Sequence, residues 1–282
     1  TPSSESAERP WVLLAPVAVS GVVDSTNMSG ALGVAFASAL SRTTLVDVVD
    51  PSRVAATLTR MQQPDSALRN ERTVLEAAER IGASVVVFPE AATLGARSVL
   101  RVRLLTAQGT DAAPPAERQL RAGDDWLRAV DGVVRDMIDH LVRTAPAADR
   151  TASAASALPA VTTTSLPALR AYAAAQQAQR RTAWADAEQS LRLAVSLDSS
   201  FAQGWSALGA LYSLLNRPRD ADEAFTRALA VAAPLAERER LLVRTAVLRE
   251  QRQFDAAARE LSSWMLTHPR DREVGAVYAD VL

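Results

Sequence analysis

The sequence predicts two domains of different class: an α/β layer domain of about four strands with helices over residues 1–144, and an all-α solenoid over residues 166–282. In the first half, short continuous apolar runs alternate with stretches whose apolar residues recur every three to four positions, as strands and helices do in turn. In the second half, large and small residues recur about every 34 positions, the period of stacked helical hairpins. Residues 145–165 join them; small and polar residues with two prolines in 145–160 predict an extended linker there.

The elements follow in order. Trp11 to Val17 is a continuous apolar run that suits a buried strand. Ser29 to Leu40 follows as a helix, with Leu32, Phe36 and Leu40 on one face and Ser29 as N-cap. Leu45 to Val49 reads as a second strand. Pro51 occupies the favoured first helical position of a helix running to about Met61. Thr73 to Ile81 is a further helix closed by Gly82. Val85 to Phe88 and Val99 to Leu105 are the third and fourth strands, with Gly95 turning a hairpin between them. The stretch from Gln119 to Leu141 ends in a long helix carrying Trp126, Val130, Val133, Val134 and Ile138.

The second half is built on Trp205-x-x-Leu208-Gly209-x-x-Tyr212 followed by Ala221-x-x-x-Phe225-x-x-Ala228. This spacing resembles the tetratricopeptide repeat, a helix-turn-helix unit of 34 residues. Ala187, Leu191 and Ala194 lie 34 positions earlier, and Trp184 opens that helix. Phe254, Ala257, Leu261 and Pro269 supply a third unit at an offset of 36, which places about two extra residues in the loop around Ala233-Pro234. Val274 to Leu282 reads as the opening helix of a fourth unit. About three repeats plus a terminal helix result, near the minimum for a stable stack. The last helix has no capping partner, so the polypeptide is expected to continue or to be covered there.

The first half carries a second resemblance. Val12-Leu13-Leu14-Ala15-Pro16, Gly30-Ala31-Leu32-Gly33, Val49-Asp50-Pro51-Ser52-Arg53-Val54 and Ala83-Ser84-Val85-Val86-Val87 together resemble the TolB-amino-terminal-like domain. They are most similar to the version in bacterial serine/threonine kinases that place a kinase and one membrane span before this domain and then tetratricopeptide repeats. Thr163 to Tyr172 and Glu237-Arg238-Glu239-Arg240-Leu241 resemble segments that introduce repeats there. The chain has no kinase signature of its own. The resemblance therefore implies either the extracytoplasmic part of such a protein, periplasmic and membrane-associated through an upstream segment or a partner, or a relative that has lost the kinase.

Composition narrows the chemistry. Net charge is −1 over 282 residues, and all 31 basic residues are arginine. No basic stripe is interleaved with aromatics, which disfavours nucleic acid. With no cysteine, disulfides and thiolate metal sites are excluded. With no lysine, a Schiff base and a phosphate-binding loop lysine are excluded. No apolar run approaches the ~18 residues of a membrane span. From the polar leader at Thr1 the expectation is that something upstream, a signal peptide, a membrane anchor or a larger domain, has been removed or left out.

Candidate chemical groups are few. His140 and His268 fall in different domains and read as a helix-end and a surface residue. Asp124-Asp125 and Asp220, Asp222 and Glu223 are paired acids that could hold a hard cation, but helix capping and first-turn decoration explain them more simply. Gly30-x-x-Gly33 is too short for a phosphate loop and reads as close packing of helix on sheet. The five tryptophans read as core or repeat-interface residues. No catalytic, cofactor or metal residue is assigned.

The functional expectation is a partner-binding groove lined by the first helix of each repeat: Tyr172, Gln176 and Gln179, then Gln203, Ser206, Ala210 and Ser213, then Glu239, Leu242, Ala246 and Arg249. Amides, hydroxyls and small residues suit an extended peptide or a partner helix. The chain thus reads as a non-catalytic interaction module, an extracytoplasmic scaffold, sensor or accessory subunit of a membrane complex. The alternative is a solute receptor whose first domain binds the ligand and signals through the repeats.

Overall fold

The computed structural model describes residues 10–21, 25–41, 46–121, 125–144, 163–232, 237–268 and 271–282. The chain divides into two compact units, residues 1–158 and 159–282. Most of the predicted linker, residues 145–162, lies outside the described residues.

Unit one is built on a six-stranded mixed sheet of order β3-β1-β4-β5-β6, with β2 also on β4. The strands are β1 (Trp11–Leu14), β2 (Ala18–Ser20), β3 (Asp47–Val48), β4 (Val85–Leu94), β5 (Arg97–Thr106) and β6 (Asp111–Arg121). β1 and β2 run parallel to β4 one after the other, with Leu14 opposite Val87 and Ala18 opposite Glu90. An advance of four residues from β1 to β2 thus matches three along β4, so the Ala15–Val17 connection holds one extra residue, and Pro16 within it has no N–H for the ladder. Gly21 follows with φ +72 and lies so close to Thr93 that a side chain would overlap its carbonyl oxygen.

The pattern predicts four strands; β2 and β6 are the additions. β6 contains Pro114 and Pro115, residues tolerated on an edge strand because one row of its backbone groups has no partner. The hairpin at Gly95 is present, with φ +63, and joins strands of ten residues each.

Helices α1 (Ser25–Ser41) and α4 (Trp126–Thr144) pack together on one sheet face. Ser29 does not cap α1. It lies one turn inside, where its hydroxyl donates to the Val17 carbonyl at 2.6 Å. Helices α2 (Pro51–Arg60) and α3 (Glu71–Ile81) cover the other face. Asp50 accepts from the Ser52 N–H at 2.7 Å to cap α2, Asn70 accepts from the Arg72 N–H at 2.9 Å to cap α3, and Gly82 ends α3 at φ +82. Leu13, Val86, Phe88 and Leu105 form a core with Val74, Ala78 and Ile81 of α3. By the period-two alternation of strands, Val12, Val87, Leu104 and Val102 point to the opposite face, towards α1 and α4.

Unit two contains α5 (Leu166–Arg180), α6 (Trp184–Leu197), α7 (Ala202–Leu214), α8 (Pro218–Ala232), α9 (Glu237–Glu250), α10 (Phe254–Thr267) and α11 (Arg272–Ala279). They form three hairpins, α5–α6, α7–α8 and α9–α10, and α11 packs on α10. The same turn closes all three. Thr182, Asn216 and Arg252 take φ of 57°, 57° and 58°. The following residues Ala183, Arg217 and Gln253 donate to Ala178, Tyr212 and Leu248, five positions back. This is the left-handed helix ending that satisfies orphaned carbonyls. The turns recur at intervals of 34 and 36, like the buried Ala187, Ala221 and Ala257.

The loop around Ala233-Pro234, where the two additional residues of the second interval are expected, lies outside the described residues.

Candidate interaction face of the helical unit

The stripe expected to form the groove is set by helix period. Gln176 and Gln179 on α5, Gln203, Ser206, Ala210 and Ser213 on α7, and Leu242, Ala246 and Arg249 on α9 each recur at three- to four-residue steps, so they line one side of their own helix. Gln203 is exposed and the others are half-buried. Glu239 lies in the first turn of α9, and its side chain is outside the described residues. α7 packs on α9, which brings the second and third stripes side by side.

Tyr172 departs from the expected groove. It is 6% exposed, its ring sits edge-on to Phe201 with centroids 5.3 Å apart, and its hydroxyl pairs with the Gln176 side chain. Burial pushes the phenol above its usual pKa, so it stays neutral. Tyr172 is a wedge between α5 and the start of α7, not a surface on which a partner could rest. Its place on the first helix of the first hairpin does not reveal this in sequence, because large aromatics at interfaces and in cores look alike there.

Polar side chains tie the hairpins together around this face. Arg217 lies over the Tyr212 ring at 4.4 Å and bonds Asp220 at 2.6 Å and Glu188 of α6 at 2.9 Å. Asp198, after α6, accepts from the Thr163 hydroxyl and from the Ser200 N–H at 2.9 Å. Burial alone would raise the Asp198 carboxyl, but the bonds from Ser200 and Thr163 outweigh it and hold the carboxyl below its usual range. Neither Asp198 nor Thr163 stands out in the sequence, because the pair is 35 residues apart.

A second feature was invisible in sequence. Leu229 and Ala232 of α8, Leu241 of α9 and Trp264 of α10 line an open cleft of about 760 Å³. Arg244 and Glu260 meet across its wall at 2.7 Å.

The remaining chemical candidates resolve into structural roles. Asp125 caps α4, accepting from Leu127 at 2.9 Å and Arg128 at 3.3 Å; Asp124 lies outside the described residues. Asp220 pairs with Arg217. His268 stacks on Trp264 at 3.9 Å, whereas His140 belongs to α4 in the other unit. Gly30 and Gly33 fall inside α1, not at its start, and a Cβ at Gly33 would meet nothing within 4 Å. The expected close packing of helix on sheet at Gly33 is therefore overturned. No group of three or more metal-ligating side chains exists among the described residues. No helix among them is long and apolar enough to cross a membrane.

No protein-family model matches this chain, and no curated protein matches it. Among solved structures it is similar to the C-terminal domain of LpoB from Salmonella enterica, at 12% identity and a TM-score of 0.33, covering 41% of this chain and 87% of that one. It is also similar to a lipoprotein from Neisseria meningitidis, at 14% identity and a TM-score of 0.32, covering 48% of this chain and 99% of that one.

Proposed function

We propose that this chain is a non-catalytic protein-interaction module: a TolB-amino-terminal-like domain followed by tetratricopeptide-type repeats, acting outside the cytoplasm as a scaffold, sensor or accessory subunit of a membrane complex. The observation that carries the reading is the hairpin repeated three times with one turn geometry, closing on residues 182, 216 and 252. A stack of this kind offers a continuous surface whose chemistry changes from repeat to repeat. Here that surface is the stripe of Gln176, Gln179, Gln203, Ser206, Ala210, Ser213, Leu242, Ala246 and Arg249, with Glu239 at its edge. Its amides and hydroxyls suit the backbone of an extended segment, and Leu242 and Ala246 add apolar surface to it.

The test is affinity capture from detergent-solubilised membranes, comparing the native chain with the double variant Gln203→Arg, Arg249→Glu. A stoichiometric protein held by the native chain and lost from the variant, at unchanged melting temperature, supports the reading. The same protein held equally by both removes the stripe as the docking surface.

A further inference from the structure

The sheet of unit one has a face that its helices leave half uncovered. α3 covers the end near Phe88 and Leu105, where Arg103 bonds Glu71 at 2.7 Å and Glu90 at 3.3 Å. Beyond Glu90 the same face continues through the far ends of β4, β5 and β6. Cross-strand register places Leu94 beside Arg97 and Arg97 beside Arg121. Arg101 is two residues along β5 and therefore on the same face as Arg97. All three arginines are exposed, and Arg97 and Arg101 make no ion pair among the described residues. The acids of this face are Glu90, engaged by Arg103 and also opposite Arg101 in register, Glu117, on the other side of Arg101, and Asp111, opposite Leu105 at the covered end; Arg97 has no acid beside it in register. At the apex of the β4–β5 hairpin, Leu94 is 80% exposed beside the tight turn at Gly95.

We propose that this end of the sheet docks on an anionic bilayer surface, with Leu94 entering the interface and Arg97 and Arg101 binding lipid phosphates. Guanidinium groups pair with phosphate oxygens in a two-pronged geometry that an ammonium cannot copy. A lone leucine on a narrow turn has no packing role in the fold, but it can reach past a headgroup layer. An acidic protein is the less suitable partner, because the uncovered face carries no aromatic side chain to anchor a protein interface. This contact is independent of the repeat stripe, so either can fail without the other.

The chain has no cysteine, so Leu94→Cys gives a single labelling site for an environment-sensitive fluorophore. Sedimentation and fluorescence would be measured with phosphatidylcholine vesicles, with and without phosphatidylglycerol, at low and high salt. The expected result is binding only to the anionic vesicles, weakened by salt, with the label at position 94 shifting to the blue. Each arginine near such a surface contributes about five-fold, so Arg97→Gln with Arg101→Gln weakens binding about thirty-fold. The paired control Arg219→Gln with Arg259→Gln, on the helical unit, leaves it unchanged. Thermal melts check that both variants fold, and the labelled Leu94→Cys chain reads insertion without touching the arginines. The proposal is overturned if the native chain stays in the supernatant with anionic vesicles at low salt. It is equally overturned if the label does not shift, or if the control pair weakens binding as much as the sheet pair.

Discussion

Arg238 in the first turn of α9 and Asp271 before α11 join in a two-pronged pair, Nε to Oδ2 at 2.8 Å and Nη2 to Oδ1 at 3.1 Å. Asp271 also accepts from the Trp264 indole at 2.9 Å and from the Val274 N–H at 3.2 Å, capping α11. The backbone around it repeats an earlier corner. His268 donates to Trp264, Asp271 to His268 and Gly275 to Asp271, as Asp198 donates to Ala194, Phe201 to Asp198 and Trp205 to Phe201. Asp271 thus stands where Phe201 stands, seventy positions earlier. Phe201 is a fully buried plug against Tyr172 and Gly204, whereas Asp271 is a charged latch.

That exchange makes the last helix sensitive to acid. Burial alone would raise the Asp271 carboxyl, but Arg238, the Val274 N–H and the Trp264 indole outweigh it and hold it below its usual range. A carboxyl whose folded pKa lies below its unfolded value of about 4 stabilises the fold above that value, and the contribution disappears as pH falls through the folded pKa. Asp271→Asn should therefore melt below the native chain near neutral pH, by about 2 kcal/mol for the lost charge-assisted bonds. The gap should narrow as pH falls below the unfolded value and through the lower folded one. Thermal melts by circular dichroism across that range measure it. Parallel curves at every pH would show that the pair does not couple to stability.

Two glycines inside helices should respond in opposite directions to alanine. A Cβ at Gly209 would lie 2.4 Å from the Phe225 ring, which is itself 2% exposed and has nowhere to move. Gly209→Ala should cost about 1–3 kcal/mol through overpacking between α7 and α8. At Gly33 the added methyl meets nothing, so Gly33→Ala should gain about 0.5–1 kcal/mol from reduced backbone entropy in the unfolded chain. Urea unfolding of both variants decides the matter. A neutral Gly209→Ala would mean that the two helices can separate without cost.

What the sequence made legible follows the strength of local signals. The three hairpins were readable because Gly209 and Phe225 are a matched pair of small and large, and because buried Ala187, Ala221 and Ala257 keep its period. The hairpin at Gly95 was readable because a tight turn needs a positive φ. β6 was not, since its Pro114, Pro115 and charged residues carry no alternating apolar pattern and only its position at the sheet edge permits them. The start of α1 was misplaced because Ser29 has the right chemistry for a cap but spends its hydroxyl on Val17. The stripe on α5, α7 and α9 followed from helix period, whereas the burial of Tyr172 depends on Phe201, 29 positions away. Arg238 and Asp271 were unreadable for the same reason: nothing local marks a pair that meets only after two helices have folded back.

The turns themselves give a last prediction, because their left-handed residues are not equally suited to the task. Thr182 is β-branched at φ 57°, where the methyl and hydroxyl crowd the backbone, while Asn216 adopts this region with little strain. Glycine removes the strain at either site but adds freedom to the unfolded chain, worth about 0.4–1 kcal/mol against folding. At Thr182 the relief of about 1–2 kcal/mol is the larger effect, so Thr182→Gly should raise stability. At Asn216 the two nearly cancel, and Asn216→Gly should be neutral or slightly destabilising. Arg252, unbranched at its β-carbon, should fall between them. The order of the three urea midpoint shifts is the observable. Equal shifts at all three sites would mean that the turn geometry is set by the flanking helices alone and stores no strain in the residue at its centre.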